Sequence, residues 1–111
     1  MARSLGAVFS DVDILLSPVL PTLPWSTTAL DVRGPDWRAF ADEFMRGTVF
    51  TRPANAARIP AMSVPLASSA TGLPIGIQFM APYGDETTLF ELAGQLERAR
   101  PWAHRLPPVH A

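Results

Sequence analysis

Serine, histidine and paired aspartate are the residue types here with the chemistry for catalysis, and their spacing tests each in turn. Serine attack on an amide needs a base within hydrogen-bond reach and donors aimed at the developing oxyanion. Ser68-Ser69 is the nearest thing to such a nucleophile, but Ala67 and Ala70 flank it. Without adjacent glycines the backbone has no reason to form a tight nest of N–H groups, so the pair reads as a loop between two strands. His104 and His110 follow Pro101 in what reads as an exposed tail. Two histidines without a third ligand make a poor zinc site, and no metal is expected. Asp11 and Asp13 have strand spacing and invite comparison with the carboxylate pair of glycoside hydrolysis. They sit where a loop becomes a strand, and turn and strand-entry roles account for both. Gly72 and Gly76 are not followed by a helix, so no phosphate loop is formed. Trp25, Trp37 and Trp102 are far apart and read as anchors of core and loop. No catalytic residue and no cofactor follow from these groups.

A different kind of candidate lies near the middle of the chain. On a helix Met45, Thr48, Val49 and Arg52 fall on neighbouring turns, giving a short strip of mixed character. The simpler alternative is that Met45 and Val49 pack in a core while Arg52 is solvated.

The elements that must carry these residues are punctuated by proline, twelve against seven glycines. Ser4 to Phe9 suits the last turns of a helix. Val12 to Leu16 is a continuous apolar run ended by Ser17-Pro18, which predicts a buried strand paired on both sides. From Pro18 to Gly34 a long loop is expected, kept polar by Thr22, Ser26, Thr27 and Thr28 and pinned by Leu23, Trp25 and Leu30. Trp37, Phe40, Ala41, Phe44, Met45 and Val49 form one stripe of a helix that starts at Asp36 and ends before Pro53. Pro53 could itself open a further short helical turn. Met62 to Leu66 and Ile75 to Met80 read as strands joined through the Gly72-Leu73-Pro74 turn. Asp85 caps a final helix whose stripe is Leu89, Leu92, Ala93, Leu96 and Ala99, with Arg98 and Arg100 at its negative end and Pro101 as its stop. The resulting order is helix, strand, helix, strand, strand, helix: an α/β fold with a small mixed sheet covered by helices.

Composition narrows the function classes. The 111 residues suit a single domain, with 48% hydrophobic content and a net charge of -1. Scattered arginines balanced by ten acids suggest no nucleic-acid partner and no anionic membrane. The absence of cysteine removes disulfides and thiolate chemistry, and the first apolar run is too short for a signal peptide or a bilayer span. A cytoplasmic protein is the expectation.

Three segments in order carry a family resemblance: Phe50-Thr51-Arg52-Pro53-Ala54-Asn55, Ile59-Pro60-Ala61-Met62-Ser63-Val64-Pro65-Leu66, and Gly72-Leu73-Pro74-Ile75-Gly76-Ile77-Gln78-Phe79-Met80. Together they resemble the closing portion of the amidase signature family, serine hydrolases that cut carboxamide bonds. The likeness runs from Asp13 to Trp102 and corresponds to about the last quarter of a family member, the C-terminal part of a larger α/β/α fold. It implies a Ser-Ser-Lys relay as the catalytic device. All nine basic residues here are arginine, so this chain cannot carry that relay by itself.

The resemblance offers Met45, Thr48 and Arg52 as walls of the acyl or side-chain pocket, never as catalysts. Thr48 stands where the A subunit of the tRNA-dependent amidotransferase has an aspartate that holds the glutamine amino group, which argues against a glutamine-specific role. Arg52 would favour an anionic or strongly polar substrate if it points inward. Arg58 stands where the family commonly has glycine.

The expected function is therefore the C-terminal segment of an amidase-type hydrolase, scaffold and part of a substrate pocket, inactive alone, with Met1 not the start of the full enzyme. An amide substrate is expected only in that full-length enzyme. The alternatives are a stand-alone, non-enzymatic α/β module that works by self-association or protein interaction, and an aggregation-prone fragment. A homo-oligomer, formed through an exposed sheet edge or apolar face, is expected under both leading readings.

Overall fold

The computed structural model describes residues 2–26, 34 and 36–106. Leu30, Thr27, Thr28 and His110 lie outside them. The elements are α1 (Ala2–Val8), β1 (Leu15–Pro18), α2 (Trp37–Gly47), α3 (Arg52–Ala57), β2 (Ala61–Ser68), β3 (Pro74–Met80) and α4 (Glu86–Ala99). They form the small helix-covered sheet expected, three-stranded in the order β1-β3-β2, and each of its pairings is antiparallel. Between β2 and β3 the chain turns where Ser69 Oγ accepts from the Leu73 N–H at 3.0 Å and Gly72 takes φ +85°. Ser69 is thus a hairpin-loop residue as expected, whereas Ser68 is the last residue of β2, paired with Pro74.

One face of the sheet makes the core. Val64 and Phe79, from neighbouring strands, pack with Ala81 and Leu89, and Leu92, Leu96 and Trp102 close over them. The helix α4 reaches this face because its apolar stripe repeats at helical spacing and because Asp85 accepts the Thr88 N–H at 3.3 Å and the Thr88 hydroxyl at 2.7 Å, fixing its first turn.

Two expectations are corrected. The run from Val12 to Leu16 is not a strand buried on both sides. β1 is four residues long, begins only after the Asp11–Asp13 turn, and pairs with β3 alone, leaving Leu16 64% exposed at the sheet's edge. Continuous hydrophobicity cannot distinguish a central strand from an edge strand whose cover lies elsewhere. The helix stripe at 37–49 has the predicted phase, but its outer members are uncovered: Trp37 is 68% exposed, and Phe44, Met45 and Val49 are also exposed. No helix among the described residues is long and apolar enough to cross a membrane.

Arg58 closes α3 with φ 56° and ψ 38°, in the left-handed region. Its N–H and that of Ile59 reach back to the last carbonyls of the helix, the pattern in which glycine is favoured. A side chain there costs about 1–2 kcal/mol, against the roughly 0.5–1 kcal/mol of extra chain entropy that glycine loses on folding. Arg58→Gly is therefore expected to stabilise the chain by about 0.5–1 kcal/mol, read as a higher urea midpoint at unchanged slope. A lowered midpoint would contradict the left-handed assignment.

Candidate functional site

The strip singled out in the sequence is built by the break between α2 and α3. Asp36 starts α2 by accepting the Arg38 and Ala39 N–H groups, each at 3.0 Å. The helix ends at Thr48, whose hydroxyl donates to the Phe44 carbonyl at 3.1 Å. The Thr48 carbonyl in turn accepts the N–H groups of Thr51 at 3.2 Å and Arg52 at 3.0 Å, so the chain tightens and restarts as α3 with Pro53 in the first turn. Across this break the Arg52 Nη1 donates to the Met45 Sδ at 3.5 Å. Arg52 thus meets Met45 across a break and not along the single helix expected, with Met45 and Arg52 exposed and Thr48 half-buried.

Two hydrogen-bonded supports hold this region; Trp25 pins its loop as expected, while Gln78 was not singled out in the sequence. From beneath, Gln78 on the central strand donates through Nε2 to the Phe50 carbonyl at 2.9 Å and to the Ser17 Oγ at 3.2 Å. Gln78 is 5% exposed, and this amide ties β1, β3 and the α2–α3 turn together. From the side, the Trp25 indole N–H donates to Glu43 Oε1 at 2.7 Å while Arg46 Nη1 stands 3.5 Å from Glu43 Oε2. The indole lies on Gly47, where an added Cβ would fall inside the ring. The sequence held signals for both: one amide in an otherwise apolar strand, and a glycine in the last turn of a helix rather than after it.

The other candidates stay apart. Asp11 and Asp13 are exposed in the turn before β1, and His104 is exposed beyond α4. Among the described residues no group of three or more His, Cys, Asp or Glu gathers as a metal site would require. Two open clefts lie elsewhere. One, of about 330 Å³, is bounded by the Val19–Pro24 loop and the start of β3, and the other, of about 420 Å³, by α1 and the β3–α4 turn. Met45, Thr48 and Arg52 line neither of them.

A protein-family model described as Amidase matches residues 1–90. The chain is 39% identical over 104 residues to the Mycobacterium leprae (strain TN) protein named "Putative amidase AmiC", covering 93% of this chain and 22% of that protein. It is 37% identical over 99 residues to the 6-aminohexanoate-cyclic-dimer hydrolase of Paenarthrobacter ureafaciens, covering 82% of this chain and 20% of that protein. The solved structure of 6-aminohexanoate cyclic dimer hydrolase complexed with substrate superposes with a TM-score of 0.81 at 33% identity, over 96% of this chain and 23% of that chain. The chain spans about a fifth of the length of the curated relatives it matches.

Proposed function

The chain belongs to the amidase family, and from that premise we propose that it is the C-terminal segment of an amidase-type hydrolase acting on carboxamide C–N bonds. In this reading the sheet and α4 are scaffold, and Met45, Thr48 and Arg52 form part of the substrate wall. The observation that carries it is the contact of an exposed Arg52 with an exposed Met45 across a break that Gln78 fastens to the sheet through the Phe50 carbonyl. Catalysis comes from residues outside this sequence, which holds no lysine. We place the chain in the cytoplasm.

The test is direct. The 111-residue chain alone is expected to release no ammonia from acetamide, pentanamide or benzamide above a protein-free control. Measurable turnover by the pure chain would overturn the reading.

A second reading, a non-enzymatic module that self-associates, is favoured by the contrast between the two sheet edges. The β2 edge carries Pro65 and a register shift, and the Pro65 carbonyl accepts from Arg105 Nη1 at 3.2 Å. The β1 edge also ends in a proline, Pro18, but it is only four residues long and exposes Leu16. Under this reading sedimentation gives a discrete dimer that Leu16→Lys dissociates, and a monomer at high concentration rejects it.

A further inference from the structure

We propose that Arg52 makes this wall selective for amides whose acyl part ends in a carboxylate, that is, half-amides of aliphatic dicarboxylic acids. The inference rests on the wall reading above and adds a substrate class to it. The guanidinium donates to the Met45 thioether, a weak acceptor. Among the described residues the one ion pair is Arg46 with Glu43, so Arg52 engages no carboxylate there. Of the other arginines, Arg38 lies 5.5 Å from the centre of the Trp37 ring and Arg105 donates to the Pro65 carbonyl. The remaining N–H groups of Arg52 form a planar fork of the kind that takes a carboxylate bidentately.

The neighbouring side chains fit the same ligand. Thr48 directs its hydroxyl hydrogen to the Phe44 carbonyl, so the guanidinium is the donor this strip presents. Glu43, an acid on the same helix, is already held by Trp25 and Arg46. Met45, which the guanidinium touches, and the exposed Phe44 and Val49 nearby in sequence are apolar side chains that suit methylene groups. An aliphatic acyl chain with a terminal carboxylate matches that pairing of apolar side chain and cation.

The experiment compares glutaramate, the half-amide of glutaric acid, with neutral pentanamide in the full-length enzyme. The wild type is expected to have the higher kcat/KM for glutaramate. Arg52→Ala should lower the glutaramate-to-pentanamide ratio roughly ten- to a hundredfold, as loss of a charged hydrogen-bonding partner does. Arg52→Lys should keep part of the preference, since it retains the charge but not the fork. Arg52 is exposed and, among the described residues, its one side-chain hydrogen bond is to Met45, so neither change opens a buried cavity. Equal losses on both amides after Arg52→Ala, or a wild-type ratio of one or below, would overturn the proposal. If Met45→Trp still reshapes which neutral amides are accepted, the wall stands and only the assignment of Arg52 falls. If Met45→Trp also changes nothing, the wall reading fails and takes the proposal with it.

Discussion

Gly47→Val is expected to unseat Trp25 and destabilise the chain by about 3–5 kcal/mol. The figure combines overpacking, about 1–3 kcal/mol, with loss of a hydrogen bond to a charged acceptor, about 1.5–3 kcal/mol. Both terms apply because the indole rests on the Gly47 backbone while its N–H reaches Glu43 at 2.7 Å, so any branched Cβ displaces the ring and breaks the bond together. Urea unfolding should show the loss as a lower midpoint, and tryptophan emission should shift to the red as the half-buried ring becomes hydrated. The cause can be separated from generic helix damage by a double-mutant cycle. With Trp25→Ala already present, Gly47→Val should cost much less, because the clash has gone. Additive effects would show that the indole is not what Gly47 accommodates.

Gln78→Leu should cost about 2–3 kcal/mol, although it keeps the side chain's approximate size and makes it apolar. The change strands the Phe50 carbonyl and removes the partner of Ser17, and an acceptor left unpaired in a buried place costs about 1–3 kcal/mol. Because Phe50 lies in the turn between α2 and α3, the damage should be directional. Amide exchange at Thr51 and Arg52 should accelerate beyond what the global loss of stability explains, while the core around Leu89 keeps its protection relative to global unfolding. Gln78→Glu tests the donor requirement: a carboxylate cannot donate to the Phe50 carbonyl, so this variant should be at least as damaging. Uniform acceleration across the chain would mean that Gln78 supports the sheet alone and does not hold the strip.

The parts of the fold legible in the sequence were those specified by local chemistry. Asp36 and Asp85 announce the starts of α2 and α4 because a carboxylate caps free N–H groups wherever the following residues are helical. Pro53 restarts the chain as α3 because it needs no donor in the first turn of a helix. The β2–β3 hairpin follows from Gly72, which takes a positive φ at no steric cost. What was not legible depends on distant partners. Whether Leu16 belongs to a central or an edge strand is decided by which strands surround it, not by its neighbours in sequence. The stripe on α2 had the right period, but period does not reveal whether anything covers Phe44 or Met45. Arg58 was visible as a departure from glycine, yet only the backbone angle shows what the departure costs. Met45 and Arg52 were picked out by a helical spacing that the chain does not keep between them, while the bonds of Gln78 to Phe50, 28 residues away, and of Trp25 to Glu43, 18 away, required the fold.

The central claim is that this chain supplies one wall of an amidase pocket, and the most direct measurement is the acyl-length profile of the full-length enzyme with Thr48 replaced by Phe. Thr48 lies between Met45 and Arg52 in sequence and its hydroxyl bonds only to its own helix, so the larger ring replaces it without removing a tertiary hydrogen bond. Measured as kcat/KM for unbranched amides from acetamide to hexanamide, Thr48→Phe should shift the preference to shorter acyl groups. The hexanamide-to-acetamide ratio should fall at least tenfold, about 1.4 kcal/mol of lost transition-state binding. A profile that keeps the wild-type shape would contradict the account, because a wall in contact with the acyl chain cannot gain a phenyl ring without changing which chains fit.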